Sequence, residues 1–290
     1  MASTQQLKSR IRSVKSTKQI TKAMQLVAAS KMRRAQEADK ASAPYTKAAN
    51  ELLTYLASQG VTKNHPLFTS HVSIDSRLLI VIASDKGLAG AYNSNVMKLY
   101  TRELKSDDDE GIKNMTISVG RRATQFVTRL KDTEIIGAYE DLPDHPAGAE
   151  LRSILDTARD KFEAGEVDAV DIIYTEFVNS MTQTAKIQRV MPAGYEVTSV
   201  SDSVRDAEFE PNLETVLEGV AYRLVGAQIF QALLDARASE WSMRMLAMKN
   251  ATDNASDLVD DLTLEMNKAR QGAITQELAE ISGGVEALND

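Results

Sequence analysis

The stretch that decides the architecture is LETVLEGVAYRLVGAQIFQALLDARASEWSMRMLAMKNATDNASDLVDDLTLEMNKARQGAITQELAEIS, residues 213–282. It contains no proline, and its only glycines are Gly219, Gly226 and Gly272. Positions seven apart from Leu213 are Leu213, Val220, Ala227, Leu234, Trp241, Met248, Ala255, Leu262, Ala269 and Gln276, all apolar except the last. The companion set from Leu217 is apolar except at Gln231, Thr252 and Glu280. A seam sustained over that length predicts a left-handed coiled coil. At about 1.5 Å per residue the helix, counted from Pro211 to Ser282, measures roughly 108 Å, several times the width of a domain that could bury it. It therefore needs a partner. Pro211 and Glu214 suit its first turn, and Gly283-Gly284 is the expected stop.

The nearest partner is the other end of the chain. Residues 3–59 lack glycine and hold one proline, Pro44, so they read as a second long helix, kinked or loosened there. Leu7, Ile11 and Val14 begin a seam. Lys18, Thr21 and Gln25 are expected to interrupt it, with Ile20, Met24 and Val27 forming a rotated stripe. The two helices should pair antiparallel. The first, at about 85 Å, is shorter, so the C-terminal end should run on alone and need an external protein sleeve.

Between them the pattern changes. Residues 60–70 break the helix. Leu78–Ala83 is a fully apolar run of the kind found in buried parallel strands. Thr116–Val119, Ile135–Tyr139, Val170–Phe177 and Lys186–Met191 read as further strands, and Asn93–Lys105, Arg121–Leu130 and Ala149–Phe162 as helices; Asp107–Glu110 reads as a solvated loop. Alternation of this kind predicts a small central α/β domain. The expected fold is thus mixed: an antiparallel coiled coil of N- and C-terminal helices with a Rossmann-like α/β domain. The expected divisions are an N-terminal helix over 1–60, a base domain over 61–205 and a C-terminal helix over 206–290.

Composition narrows function. Of 290 residues none is cysteine, which excludes disulfides, thiolate catalysis and cysteine-based zinc sites. No run is long and apolar enough to span a membrane. The opening lacks a secretory signal; its basic amphipathic pattern continues past Arg34 without a cleavage-like break, favouring a mature N-terminus. The net charge is −7, but residues 1–40 hold ten Lys or Arg against Glu37 and Asp39, a local +8 that leaves −15 for the remainder. Such an end seeks an anionic surface, either nucleic acid or an acidic protein. No phosphate loop, dinucleotide fingerprint or zinc-protease motif is present. His65, His71 and His145 are scattered and read as surface or capping residues rather than as ligands. Gly87 and Gly90 follow the first strand, where a phosphate could bind, although the chemistry of a strand-exit turn is the preferred reading.

Several segments carry a resemblance. SRIRSVKSTKQITKAMQLVAASKMRRAQ (9–36), SDKGLAGAYNSN (84–95), VDIIYTEFVNSMTQTAKIQRVMP (170–192) and AMKNATDNASDLVDDLTLEMNKARQGAITQELAEISGG (247–284) resemble the gamma subunit family of F-type ATP synthases, of the bacterial type. The resemblance implies a central-stalk rotor subunit of a proton-translocating ATP synthase. It would transmit torque between the membrane c-ring and the catalytic alpha/beta hexamer and regulate its ATPase activity. It implies alpha, beta, epsilon, delta and c-ring partners, no nucleic acid, no cofactor or metal, no catalytic residue, and a peripheral place at the cytoplasmic face of the cell membrane. It further implies that Arg270, Gln271 and Thr275 hydrogen-bond a loop of a beta subunit; a solvated polar face is the plainer alternative. Met24 would face an acidic beta loop, or else belong to the core stripe. Lys15, Lys18, Lys22, Lys31, Arg33 and Arg34 would meet acidic loops, or else form a solvated face. The rivals are a phosphate-handling enzyme using Gly87–Asn93 and a coiled-coil nucleic-acid or protein adaptor with an α/β domain.

Overall fold

The computed structural model describes residues 4–69, 73–131, 133–143, 148–195 and 197–289, with side chains left out at 39, 42, 43, 45, 46, 64, 148–150 and 283–289. His71 and His145 lie outside the described residues. In chain order the elements are α1 (Thr4–Ser58), β1 (Ser76–Ile82), α2 (Tyr92–Glu110), β2 (Lys113–Val119), α3 (Arg121–Val127), β3 (Glu134–Tyr139), α4 (Gly148–Glu163), β4 (Ala169–Phe177), β5 (Gln183–Met191), α5 (Asp202–Arg205) and α6 (Leu213–Asn289). They form two units: Met1–Ala28 with Met245–Asp290, and Ala29–Arg244.

The larger unit is built on one sheet in the order β3-β2-β1-β4-β5. The first four strands are parallel and β5 is antiparallel to β4. β1 and β4 are buried on both faces, as the apolar run Leu78–Ile82 of β1 requires; β4 carries Asp171 within its buried stretch. Period-two alternation then sorts β1 between two cores. Leu78, Ile80 and Ile82 join a core covered by Leu53 and Leu56 of α1, Ile154 and Ala158 of α4, and Leu217–Ala236 of α6. Leu79 and Val81 join the opposite core, under Val96, Tyr100, Ala123 and Val127 of α2 and α3. Strand exit after β2 needs a backbone approach that only glycine permits. Gly120 has φ 92°, and a Cβ there would sit 2.1 Å from the Ala83 carbonyl oxygen.

The smaller unit pairs the start of α1 with the C-terminal part of α6. Leu7, Ile11 and Leu262 are buried together, flanked by Val14, Val259, Met266 and Ala269. Thr21 Oγ1 lies 2.8 Å from Thr252 Oγ1, and Lys18 Nζ donates to Ser256 Oγ at 2.8 Å. Rising numbers in α1 thus meet falling numbers in α6, and the pairing is antiparallel.

Four sequence expectations need correction. The seam of α1 does not rotate. Thr21 and Ala28 stay buried while Ile20 and Val27 are 58% and 54% exposed. Lys18 and Thr21 are kept at the seam because each finds a hydroxyl partner across it, which offsets the desolvation cost. Asp107–Glu110 is the last turn of α2, not a loop. Gly111 closes that helix at φ 78°, and Asp107 is buried because Arg77 pairs with it. The Gly283-Gly284 stop is overrun, since α6 continues to Asn289. Glycine lowers helix propensity by about 1 kcal/mol without blocking a helix, and no proline follows. Finally, α6 begins at Leu213, so Pro211 lies ahead of its first turn, and Asn212 caps the helix, its Oδ1 accepting from the Thr215 amide at 2.8 Å. Pro44 lies inside α1, which is helical on both sides of it.

Candidate partner interfaces and the closed crevice

In the smaller unit, seam positions of α6 remain covered as far as Ala269. The register explains the limit. Thr21 faces Thr252, so moving seventeen residues along each helix sets Thr4 of α1 opposite Ala269. From Arg270 to Ser282 every residue is exposed. Thr275 Oγ1 donates to the Gln271 carbonyl at 2.9 Å, so Gln271 and Thr275 share a helix face, with Arg270 beside them. Ile274, Leu278 and Ile281 are 50%, 62% and 64% exposed and recur at i, i+4 and i+7. On α1 of the same unit, Ile20, Leu26 and Val27 are also exposed. An apolar stripe left in water by its own unit marks a surface for another protein.

The named side chains of α1 take different places. Met24 is half-buried beside the seam rather than in it. Lys15 is exposed, Lys22 donates to Gln25 Oε1 at 3.2 Å, and Lys18 is held by Ser256. In the larger unit Arg34 is exposed and Arg33 pairs with Glu37 at 3.4 Å. Lys31 sits over the Trp241 ring, 4.5 Å from its centroid, a cation–π contact that the basic pattern alone did not signal.

Doubly wound sheets of this order bind ligands where the strand order reverses, outside the carboxyl ends of β1 and β4. Here that position is filled by α6 itself. Arg244 donates to Glu240 at 2.7 Å and to the carbonyls of Lys86 and Gly87, each at 3.2 Å. Arg237 donates to Glu240 at 3.2 Å and to the Leu142 carbonyl at 2.9 Å, and lies 3.7 Å from Asp85. Asp85 in turn accepts from the amides of Arg121 and Asp141, each at 3.0 Å. Asn93 Oδ1 accepts from the amide and hydroxyl of Ser84, both at 3.0 Å. At the end of β4, Ser239 donates to the Thr175 carbonyl at 3.0 Å. Tyr92 is buried beside this cluster, and burial and the nearby Glu240 carboxylate raise its phenol pKa far above the usual value. The Ser84 amide and hydroxyl are spent on Asn93 within the loop, and the carbonyls of Lys86 and Gly87 and the Asp85 carboxylate face the arginines of α6. The preferred strand-exit reading of that loop agrees with this geometry.

Deeper in the sheet, Arg77 of β1 bridges Asp171 and Asp107, and Asp171 also holds Arg189 of β5. Burial opposes the charge on Arg77, but the two carboxylates outweigh it and hold its pKa above the usual value. His65, the one histidine described, caps a short turn; its Nδ1 accepts from the Leu67 amide at 3.2 Å. Among the described residues no group of three or more His, Asp or Glu could hold a metal ion.

These features define a class: subunits in which the two chain ends wind into a coiled coil and one of the same helices seals the crevice of a small doubly wound sheet. The comparisons fall within that class. A family model described as ATP synthase matches residues 3–288. The ATP synthase gamma chain of Stenotrophomonas maltophilia is 38% identical over 99% of this chain and 100% of its own length, and that of Xylella fastidiosa 37% over the same shares. A chain of the Euglena gracilis mitochondrial ATP synthase shares the fold at a TM-score of 0.66, with 18% identity, covering 98% of this chain and 94% of its own. A central-stalk and c-ring structure from Tetrahymena thermophila gives 0.57, at 24% identity, over 80% and 99%. The chain belongs to the ATP synthase gamma chain family.

Proposed function

We propose that the chain is the central-stalk rotor subunit of an F-type, proton-translocating ATP synthase, carrying torque between the membrane c-ring and the catalytic alpha/beta hexamer. One observation carries the reading. The coiled coil completes its own seam, yet it leaves Ile20, Leu26, Val27, Ile274, Leu278 and Ile281 in water. Such a surface gains stability only inside a sleeve of other subunits. Relatives named as ATP synthase gamma chains, and a structural neighbour described within an F1/c-ring assembly, support the alpha/beta hexamer as that sleeve.

In this reading the chain catalyses nothing itself. It sits at the cytoplasmic face of the membrane through its partners, with epsilon and the c-ring at the α/β base and delta elsewhere in the complex. Residues 1–60, 61–205 and 206–290 serve as N-terminal helix, base and C-terminal helix. Met24, Arg270, Gln271 and Thr275 meet loops of beta, and Lys15, Lys18, Lys22, Lys31, Arg33 and Arg34 supply weak contacts to acidic ones. Exposed ion pairs contribute only about 0.2–1 kcal/mol each, which suits a surface that must slide. Coupling and the regulation of ATPase activity arise because each beta subunit meets a different face of the rotor. Rotation changes which beta conformation has the better contacts. The Arg237–Glu240–Arg244 cluster fastens α6 to the sheet, so torque entering the base passes into the helix.

Co-expression with alpha and beta subunits tests the proposal. The expected result is a stable assembly whose ATPase depends on this chain. Failure to co-purify, or ATP turnover by the chain alone, overturns it. The adaptor alternative draws no support from the relatives.

A further inference from the structure

We propose that the groove between α2 and α3 of the larger unit binds an acidic helical segment of a partner protein. The groove encloses about 790 Å³ and lies on the side of the sheet opposite α4 and α6. Its floor is apolar, made by Met97 and the half-buried Phe126. Its walls are cationic, and no carboxylate is among the residues that line it. Lys98, Arg102 and Lys105 recur at i, i+4 and i+7 along α2, and Arg122 and Arg129 stand seven apart on the facing wall.

The imbalance is local. The chain as a whole carries −7, and Arg121, next to Arg122, is paired with Glu140 and Asp141. Yet among the described residues Lys98, Lys105, Arg122 and Arg129 have no carboxylate within ion-pair distance, and all four are exposed. Arg102 alone has one, Glu103, at 3.5 Å. Unopposed cations in a concave apolar site select an anionic ligand and hasten its arrival.

The spacing selects its form. A single phosphate calls for cations that converge on one point, whereas these are strung along two helical walls. An acidic helix with carboxylates at i, i+4 and i+7 presents charge at the same interval, and one apolar side chain on its face would rest on Met97 and Phe126. The exposed cations act weakly one by one, so binding must depend on several together and fall with salt.

The test uses the full chain and a fluorescein-labelled helical peptide of about 20 residues, with Glu at i, i+4 and i+7 and one Leu on the same face. Fluorescence anisotropy should show binding that weakens at least about tenfold in Lys98→Glu/Arg129→Glu and again on raising salt. A control variant, Lys8→Glu/Arg12→Glu on α1, should leave the affinity unchanged. Both sites are exposed, and thermal melting of each variant verifies its fold. No binding, equal binding by the groove variant, or loss in the α1 variant alone overturns the proposal. So does displacement by inorganic triphosphate that itself binds as tightly as the peptide, which would mark a small-anion site.

Discussion

At the scale of the residue, the buried charges of the larger unit do the fastening. Arg244 and Glu240 have side chains only 5% and 4% exposed. Removing one partner of such a pair strands the other's charge in a dry site. Arg244→Ala should therefore cost about 3 kcal/mol in urea unfolding. Arg244→Ala with Glu240→Ala should cost less than the sum of the two single changes. His65 gives a pH signature. Burial lowers its pKa below the ordinary histidine value of 6.5, so the unfolded chain binds more proton as pH falls. The stability this contributes is present above 6.5 and is lost on descending through the folded pKa. His65→Asn keeps a capping side chain, so between pH 7.5 and 5.5 it should lose less stability than the parent in parallel denaturation curves.

At the scale of the element, the antiparallel seam makes a discriminating prediction. Leu262 is buried against Leu7 and Ile11, and truncating it to Ala should cost about 2 kcal/mol in the isolated chain. Ile20→Ser should change stability by less than about 0.5 kcal/mol, because Ile20 is exposed there. The same Ile20→Ser change should nevertheless weaken assembly with alpha and beta, read by sedimentation of the complex. If Ile20→Ser unfolds the chain as Leu262→Ala does, the rotated stripe is right after all. Thr21→Val with Thr252→Val removes both hydroxyls of one seam pair together and should stay within about 1 kcal/mol of the parent.

At the scale of the whole molecule, fold and coupling should separate. Residues 271–282 are all exposed and contribute no core. Deleting 271–290 should leave the melting temperature of the chain nearly unchanged. In a reconstituted complex followed by single-molecule rotation, the same deletion should lower coupling. Unchanged torque and coupling would remove the proposed role of Arg270, Gln271 and Thr275.

The sequence by itself determined the two long helices, the heptad seam of the C-terminal one, and the alternation of strands and helices between them. All of these rest on local periodicity, because burial of one face imposes a period of 3.5 or 2 on the residues that must share it. Tertiary structure alone decided what the polar seam residues do. Lys18 and Thr21 looked like breaks because their partners, Ser256 and Thr252, lie more than two hundred positions away. It also decided that Asp107 is a buried ligand of Arg77, and that Arg237, Glu240 and Arg244 seal the crevice beside Asp85. A charged residue reads as solvated until the chain brings an opposite charge to it. That meeting depends on how helices dock on the sheet, which no local pattern records.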